Sequence, residues 1–233
     1  MDIQLRGELW DNDSADILRF WGWRDITAPM DIAAALEKAN GEDVTVLINS
    51  PGGDMTVGGE IRSMFRRYSG KVTALFQGFG ASAATLAASG CNEITAEPGA
   101  LLCYHNPTSG AHGDFHDMAE ASEGLLNARD AILEMYTARN GSKSREELIE
   151  LMDKNIWITP TQAKEYGLVD TIIPLDGAAE ADPAAYVAGT SRMRITATMR
   201  EKYQAHVAAM KTAADNEEKA NRARARLRAL ANY

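Results

Sequence analysis

Two short, uninterrupted apolar runs place the strongest constraint on the fold of this chain: VTVLI at 44–48 and VTALF at 72–76. Apolar residues at every position are typical of a strand buried on both faces, as in a parallel sheet covered by helices. Each run is followed by a glycine-containing turn and then by a helix-like segment, 55–68 in the first case and 81–88 in the second. This alternation predicts an α/β fold with mostly parallel strands.

The remaining elements extend the same pattern over residues 2–173. The sequence predicts further strands at 2–9, 93–95, 101–104 and 169–173. It predicts further helices at 27–40, 115–139 and 144–154, and a short one opened by Thr159 and Pro160. Turns are expected at 50–53 and 78–80, and a loop at 106–113.

The composition changes after residue 173, which predicts three parts: a folded domain over 1–173, a linker over 174–190 and a basic helical tail over 191–233. The linker is rich in Ala, Gly, Asp and Pro, and the predicted helix covers 196–230. Apolar residues are sparse in that helix, so we do not expect it to fold firmly alone. A solvated or partner-dependent helix, a nucleic-acid arm and a docking arm for assembly all fit the pattern.

Charge and cysteine content exclude several classes of protein. The 233-residue chain has a net charge of −9, yet the residues from Arg192 onward carry ten basic and four acidic side chains. The acidic body argues against a nucleic-acid enzyme, and membrane spans are not expected, since no apolar run approaches ~20 residues. Cys91 and Cys103 form neither a disulfide framework nor a CxxC pair. With no signal pattern at the N-terminus, we expect a cytoplasmic protein.

Three junctions between elements could carry chemistry. NSPGG at 49–53 follows a buried strand, and its paired glycines allow a close backbone approach or a plain tight turn. Ser82 starts a helix of small residues after a strand, which suits an exposed nucleophile beside free N–H groups, or a simple N-cap. His105 ends an apolar strand, as a general base or a satisfied core residue would.

The other histidines do not indicate a metal site. His112 and His116 are four residues apart, but His112 falls in a glycine-rich loop and no glutamate completes an HExxH motif. His206 falls in the tail, where we expect it to be exposed. We therefore predict no metal and no cofactor.

Taken together, the segments resemble the Clp protease proteolytic-subunit family, and most closely its phage and prophage branch of head-maturation proteases. The matching motifs are INSPGGD at 48–54, GFGASAA at 78–84, HNP at 105–107, WITP at 157–160 and EYGLVD at 165–170. They occur in the family's order and at its approximate spacing, whereas the residues beyond Pro174 lie outside the resemblance. The resemblance implies a Clp/crotonase-like stack of ββα units with a handle helix at 115–139. The composition of 191–233 adds a C-terminal helical extension to this fold.

The resemblance also implies a serine endopeptidase. The sequence has no P-loop motif, so we expect the peptidase to be ATP-independent on its own. Ser82 matches the nucleophile and His105 the general base, while Gly53 and Ala83 match the two oxyanion-hole donors. The acidic third member is missing, because Asn155 occupies its position. Asn155 could hold the imidazole through its amide oxygen without supplying charge, and Asp153 could substitute if the helix end shifts. The third alternative is that no residue fills the role.

Partners and alternatives follow from the same resemblance. It implies homo-oligomeric rings acting on protein or peptide substrates, here phage capsid or scaffold proteins, in the host cytoplasm or the prohead. The apolar side chains of 115–139 fit either a helix buried in its own subunit or one that meets a partner, and no unfoldase partner can be identified.

A catalytically weak structural protein of a phage head is the main alternative. A crotonase-like acyl-CoA enzyme is disfavoured, because no basic cluster lies near the glycine turns.

Overall fold

Strand β3 (Val44–Gly53) lies inside a sheet whose strands are nearly all parallel. The computed structural model describes residues 1–139, 141–174 and 195–231. The other strands are β1 (Asp2–Leu9), β2 (Ile26–Thr27), β4 (Val72–Ala81), β5 (Glu93–Ala96), β6 (Leu101–Cys103), β7 (Trp157–Ile158) and β8 (Thr171–Ile172). The helices are α1 (Asn12–Phe20), α2 (Pro29–Ala39), α3 (Met55–Arg67), α4 (Ala83–Ala88), α5 (Phe115–Thr137), α6 (Arg145–Lys154), α7 (Pro160–Glu165) and α8 (Ala197–Ala231).

The strand order is β2-β1-β3-β4-β5-β8, and every pair along this path is parallel. Strand β6 leaves the path, pairing in parallel with β4 and antiparallel with β7. Helices α2 and α3 bury apolar residues at helical spacing, including Ile32 and Leu36 on the first and Ile61 and Phe65 on the second. The predicted α/β fold with a mostly parallel sheet is confirmed.

Strand β4 changes its partner along its length. Its first part, Thr73–Phe76, pairs with β5, whereas Phe79–Ala81 pairs with β6. A side chain at Gly80, in the part that pairs with β6, would collide with the ring of Phe76, so this position needs a residue without a Cβ. This change of partner carries the end of β4 to the strand that leads into His105.

The turns predicted at 50–53 and 78–80 are wrong, because both segments continue their strands. Ser50 is fully buried, and its hydroxyl donates to the carbonyl of Gly7 at 2.6 Å and accepts from the N–H of Gly52 at 3.1 Å. Ser50 also pairs with Gly80 across the two strands, after a register shift. Side-chain and cross-strand bonds therefore extend the strands through residues that favour turns.

The chain divides into two compact units, of which the second comprises Asp16–Trp23 and Ser191–Tyr233. Within this unit the ring of Phe20 contacts Tyr203 and His206, and the ammonium of Lys202 lies 5.7 Å from the ring centroid of Trp21. The predicted tail helix is present as α8, and His206 is exposed, as expected. The predicted linker lies outside the described residues except for Pro174. None of the described helices is long and apolar enough to cross a membrane.

Candidate active site

Ser82 lies in a backbone conformation that few residues adopt. It follows β4 directly, with φ 54° and ψ −129°. Its N–H donates to the carbonyl of Cys103 at 3.0 Å, which fixes it beside the end of β6. Although it occupies the N-cap position of α4, its side chain makes no capping hydrogen bond. Ser82 is therefore not a side-chain cap, and its hydroxyl remains available for chemistry.

Gly52 brings the end of β3 into close contact with this serine. It has φ +88°, and a Cβ placed there would lie 2.6 Å from the Cβ of Ser82 and 2.8 Å from the N–H nitrogen of Ala83. Only glycine fits both the conformation and the space. Its neighbour Gly53 packs against the backbone of Leu9. The structure thus places the glycine pair and the Ser82–Ala83 peptide at the same sheet edge, and the oxyanion-hole roles of Gly53 and Ala83 stay predictions.

His105 follows β6, two residues after the pairing of Cys103 with Ala81. Its half-buried ring directs Nδ1 to the main-chain carbonyl of Asn106, at 2.6 Å. A carbonyl can only accept, so Nδ1 carries a hydrogen, and in the neutral ring Nε2 is then the nitrogen with the lone pair. That is the tautomer a general base needs toward a serine hydroxyl.

The two candidates for the third member make their hydrogen bonds elsewhere. Asn155 ends α6 in the left-handed conformation, with φ 47° and ψ 49°, and its amide oxygen accepts from the thiol of Cys103 at 3.9 Å. Asp153 accepts from the side-chain amide of Asn106 at 2.7 Å. Neither side chain supplies the partner of His105 Nδ1 in this structure, so a direct orienting role for Asn155 or Asp153 stays a prediction.

Two residues of the site went unnoticed in the sequence as individual positions. Gly52 was visible only as half of a glycine pair, and Asn106 only as part of HNP. The role of Asn106 comes from its main-chain carbonyl, which every residue possesses. No residue-type signal could therefore have found it.

The thiol near the site is held in its neutral form. Burial raises the pKa of Cys103 to about 11. Burial also raises the pKa of Cys91, whose thiol is more deeply enclosed. Neither group is a nucleophile at neutral pH, because the reactive species is the thiolate.

A metal centre would need several ligands converging. Among residues 1–139, 141–174 and 195–231, no group of three or more His, Cys, Asp or Glu side chains is arranged to hold an ion. The absence of metal and cofactor stays a prediction.

Comparison with known proteins identifies the family. The family model described as Clp protease matches residues 26–176. Among curated proteins, ATP-dependent Clp protease proteolytic subunit 1 of Streptomyces avermitilis is 35% identical over 133 residues, which cover 56% of this chain and 61% of that protein. The corresponding subunit of Mesostigma viride is 34% identical over 140 residues, which cover 58% and 61%. The matched region therefore spans about three fifths of the length of these relatives.

A solved structure shares the fold. A ClpP1 mutant from Listeria monocytogenes superposes with a TM-score of 0.59, at 20% identity, over 75% of this chain and 92% of that one. The family match covers more than half of the chain and includes the segments that carry Ser82, His105 and the glycine pair. The chain belongs to the Clp protease family.

Proposed function

We propose that this chain is a serine endopeptidase in which Ser82 is the nucleophile and His105 the general base. The observation that carries the proposal is the position of Ser82: a strained residue at the end of β4, bonded through its N–H to the strand that leads into His105, with an uncommitted hydroxyl. Strained residues with free reactive groups cluster at active sites.

The reaction then uses groups of this chain alone. Nε2 of His105 takes the hydroxyl proton as Ser82 Oγ attacks the scissile carbonyl. The N–H groups of Gly53 and Ala83 stabilise the oxyanion, and His105 returns the proton to the leaving amine. Water then hydrolyses the acyl-enzyme by the same exchange in reverse. No nucleotide is needed for these steps.

The imidazolium that forms is stabilised less well than in a triad with an acid. The Nδ1 partner is a neutral carbonyl, which orients the ring but adds no negative charge. The ring keeps the tautomer that a general base needs, but without a negative charge beside it the imidazolium is less stable than in a triad with an acid. We therefore expect slow turnover, with acylation of Ser82 still detectable.

The test is covalent labelling of the full chain with a fluorophosphonate. Wild type should label at Ser82, identified by peptide mapping. Ser82→Ala and His105→Ala should not label, while Ser63→Ala, which removes an exposed serine on α3, should label normally. Cleavage of unfolded casein without ATP is the second readout. Absence of both labelling and cleavage in the assembled wild type rules the proposal out.

We also propose that copies of this chain form a ring through α5. The C-terminal part of the helix buries Ile132, Leu133 and Tyr136, whereas Phe115, Met118 and Leu126 are exposed, Phe115 by 75%. A long exposed apolar stripe favours a partner. Leu126→Glu should lower the mass measured by light scattering, whereas Met30→Glu, at an exposed apolar position on α2, should not.

The substrate class remains a proposal from the sequence motifs, which resemble phage head-maturation proteases. Capsid or scaffold proteins would then be cleaved in the host cytoplasm or the prohead. The second candidate is a catalytically weak assembly protein, favoured by the neutral partner of His105 and by the predominantly basic α8. If Ser82→Ala supports head assembly as well as wild type, the assembly role stands and proteolysis is dispensable.

A further inference from the structure

Two buried hydroxyl groups form consecutive hydrogen bonds that end at the main-chain carbonyl of Ser82. The hydroxyl of Thr85 donates to the carbonyl oxygen of Ser82 at 2.7 Å and lies 2.8 Å from the hydroxyl of Tyr136. The carbonyl can only accept, so the single hydroxyl hydrogen of Thr85 is used there. Tyr136 must therefore donate to Thr85, so both hydrogen bonds point from Tyr136 toward the carbonyl of Ser82.

Both hydroxyl groups lie deep in the core. Thr85 is 2% exposed and Tyr136 is 4% exposed. Burial raises the pKa of Tyr136, which keeps the phenol protonated as a donor. Hydrogen bonds in such a low-dielectric setting reinforce one another. The other buried residues of α4 are four alanines and a leucine.

Tyr136 also contacts the segment that carries His105. Its ring packs edge-on against Tyr104, with centroids 5.4 Å apart and planes at 77°. Tyr104 immediately precedes His105. One residue of α5 thus touches both segments that supply the proposed catalytic groups, although it lies 51 positions beyond Thr85 in the chain.

The conformation of Ser82 needs support of this kind. A non-glycine residue at φ 54° and ψ −129° persists only where its surroundings fix it. The carbonyl of Ser82 also accepts from the N–H groups of Thr85 at 3.0 Å and Leu86 at 3.3 Å. The Thr85 hydroxyl is the shortest of these three bonds, and it is the one that a side chain supplies.

We propose that Thr85 and Tyr136 are positioning residues that hold the Ser82 peptide in its reactive orientation. This inference rests on the proposed function of Ser82 as the nucleophile. A purely structural role predicts a different outcome: losing one hydroxyl of the pair would lower the free energy of unfolding and leave the labelling rate of the folded protein unchanged. Loss of the pair should instead slow the reaction of Ser82.

The experiment compares fluorophosphonate labelling rates of the full chain, separated into probe binding and the maximal rate of acylation. Thr85→Val keeps the shape and removes the hydroxyl, and it should lower the maximal rate roughly 10-fold with unchanged probe binding. Thr85→Ser retains the donor and should label within about 2-fold of wild type. Tyr136→Phe keeps the ring against Tyr104 and should lower the rate roughly 3-fold.

The matched control is Thr95, which is 4% exposed and donates to the carbonyl of Ala74 at 2.8 Å. Thr95→Val removes an equivalent buried bond from β5 and should label at the wild-type rate. The inference is overturned if Thr85→Val labels normally, if Thr85→Ser is as slow as Thr85→Val, or if Thr95→Val is equally slow. Wild type that does not label defeats the proposed function, and this inference with it. If Thr85→Val does not fold, Tyr136→Phe decides.

Discussion

His105 Nδ1 donates a 2.6 Å hydrogen bond to the main-chain carbonyl of the next residue, Asn106. Asp153 reaches this histidine only indirectly, through the side-chain amide of Asn106 at 2.7 Å. The imidazole is thus oriented by the backbone, and the carboxylate supports the residue that supplies the carbonyl.

The first prediction concerns that carboxylate. Asp153→Asn should lower the labelling rate of Ser82 by no more than about 10-fold, because it weakens one bond to Asn106 and leaves the Asn106 carbonyl in place. Rates of fluorophosphonate labelling measure the effect, and His105→Ala, which should lose labelling altogether, gives the scale. A loss on the order of 10⁴ would show that Asp153 acts on His105 directly.

Asn155 provides the companion test. Asn155→Gly suits the left-handed C-cap of α6 and removes the amide, so stability should be preserved and labelling little changed. Asn40→Gly, at the left-handed C-cap of α2, is the matched variant away from the site. Slower labelling confined to Asn155→Gly would favour the orienting role that the sequence motif suggests.

The second prediction concerns the glycine that contacts Ser82. Gly52→Ala should abolish labelling and destabilise the fold by more than about 2 kcal/mol, because it adds a clash to a φ of +88°. Thermal unfolding and labelling rates measure the two effects. Gly59→Ala on α3 has open space around its Cβ and should stabilise by roughly 0.5–1 kcal/mol. Labelling of Gly52→Ala at the wild-type rate would contradict the close approach.

The third prediction concerns thiol reactivity. With the pKa of Cys103 raised to about 11, roughly one thiol in a thousand is ionised at pH 8. Iodoacetamide should leave the native protein unmodified at pH 8, while the denatured chain takes up two labels, one each at Cys91 and Cys103. Mass spectrometry measures the uptake. Fast labelling of native Cys103 would mean that the thiol is exposed.

The same shift fixes the sign of a pH dependence of stability. An unfolded thiol ionises near pH 8.5, whereas folded Cys103 keeps its proton to about pH 11. Between these values the unfolded chain binds fewer protons, so the free energy of unfolding should fall as pH rises. Below about pH 8 the thiol contributes no slope. Denaturant titrations at a series of pH values give the free energy of unfolding of wild type and of Cys103→Ala. The pH dependence of this free energy should differ between the two proteins only in the alkaline range.

The fourth prediction concerns the ion pair between Arg139 and Asp170. The guanidinium of Arg139 is 11% exposed and donates to Asp170 at 2.6 Å, and the same carboxylate oxygen accepts from the N–H of Ile94. Asp170→Asn should cost about 2 kcal/mol, because it leaves a largely buried charge without its counter-charge. Glu93→Gln removes the carboxylate that pairs with the exposed Lys71 and should cost far less. Equal losses in urea titrations would contradict the argument.

The sequence predicted the buried strands well because continuous apolar runs have few alternatives in an α/β protein. It could not predict that β3 and β4 continue through NSPGG and GFGA, since this depends on the bond from Ser50 to Gly7 and on the pairing of Ser50 with Gly80. Helix α1 was missed altogether, as were the two-residue strands β2 and β7.

The candidate site, like the fold, was predictable from the sequence only in part. Ser82, His105 and the glycine pair lie in motifs that can be read from the sequence. The partner of His105 is a main-chain atom, and Tyr136 meets Thr85 only through tertiary packing. Contacts of these two kinds leave no pattern in residue types.

The backbone of residue 82 is bonded on both sides, through its N–H to Cys103 and through its carbonyl to Thr85 and Leu86. Only the side chain is left uncommitted. These hydrogen bonds hold the backbone at position 82 in one orientation, whichever side chain it carries. A thiol, a selenol or a synthetic electrophile introduced at this position would leave the backbone in the same direction as the serine hydroxymethyl group. Position 82 is therefore a suitable site for designed reactive groups.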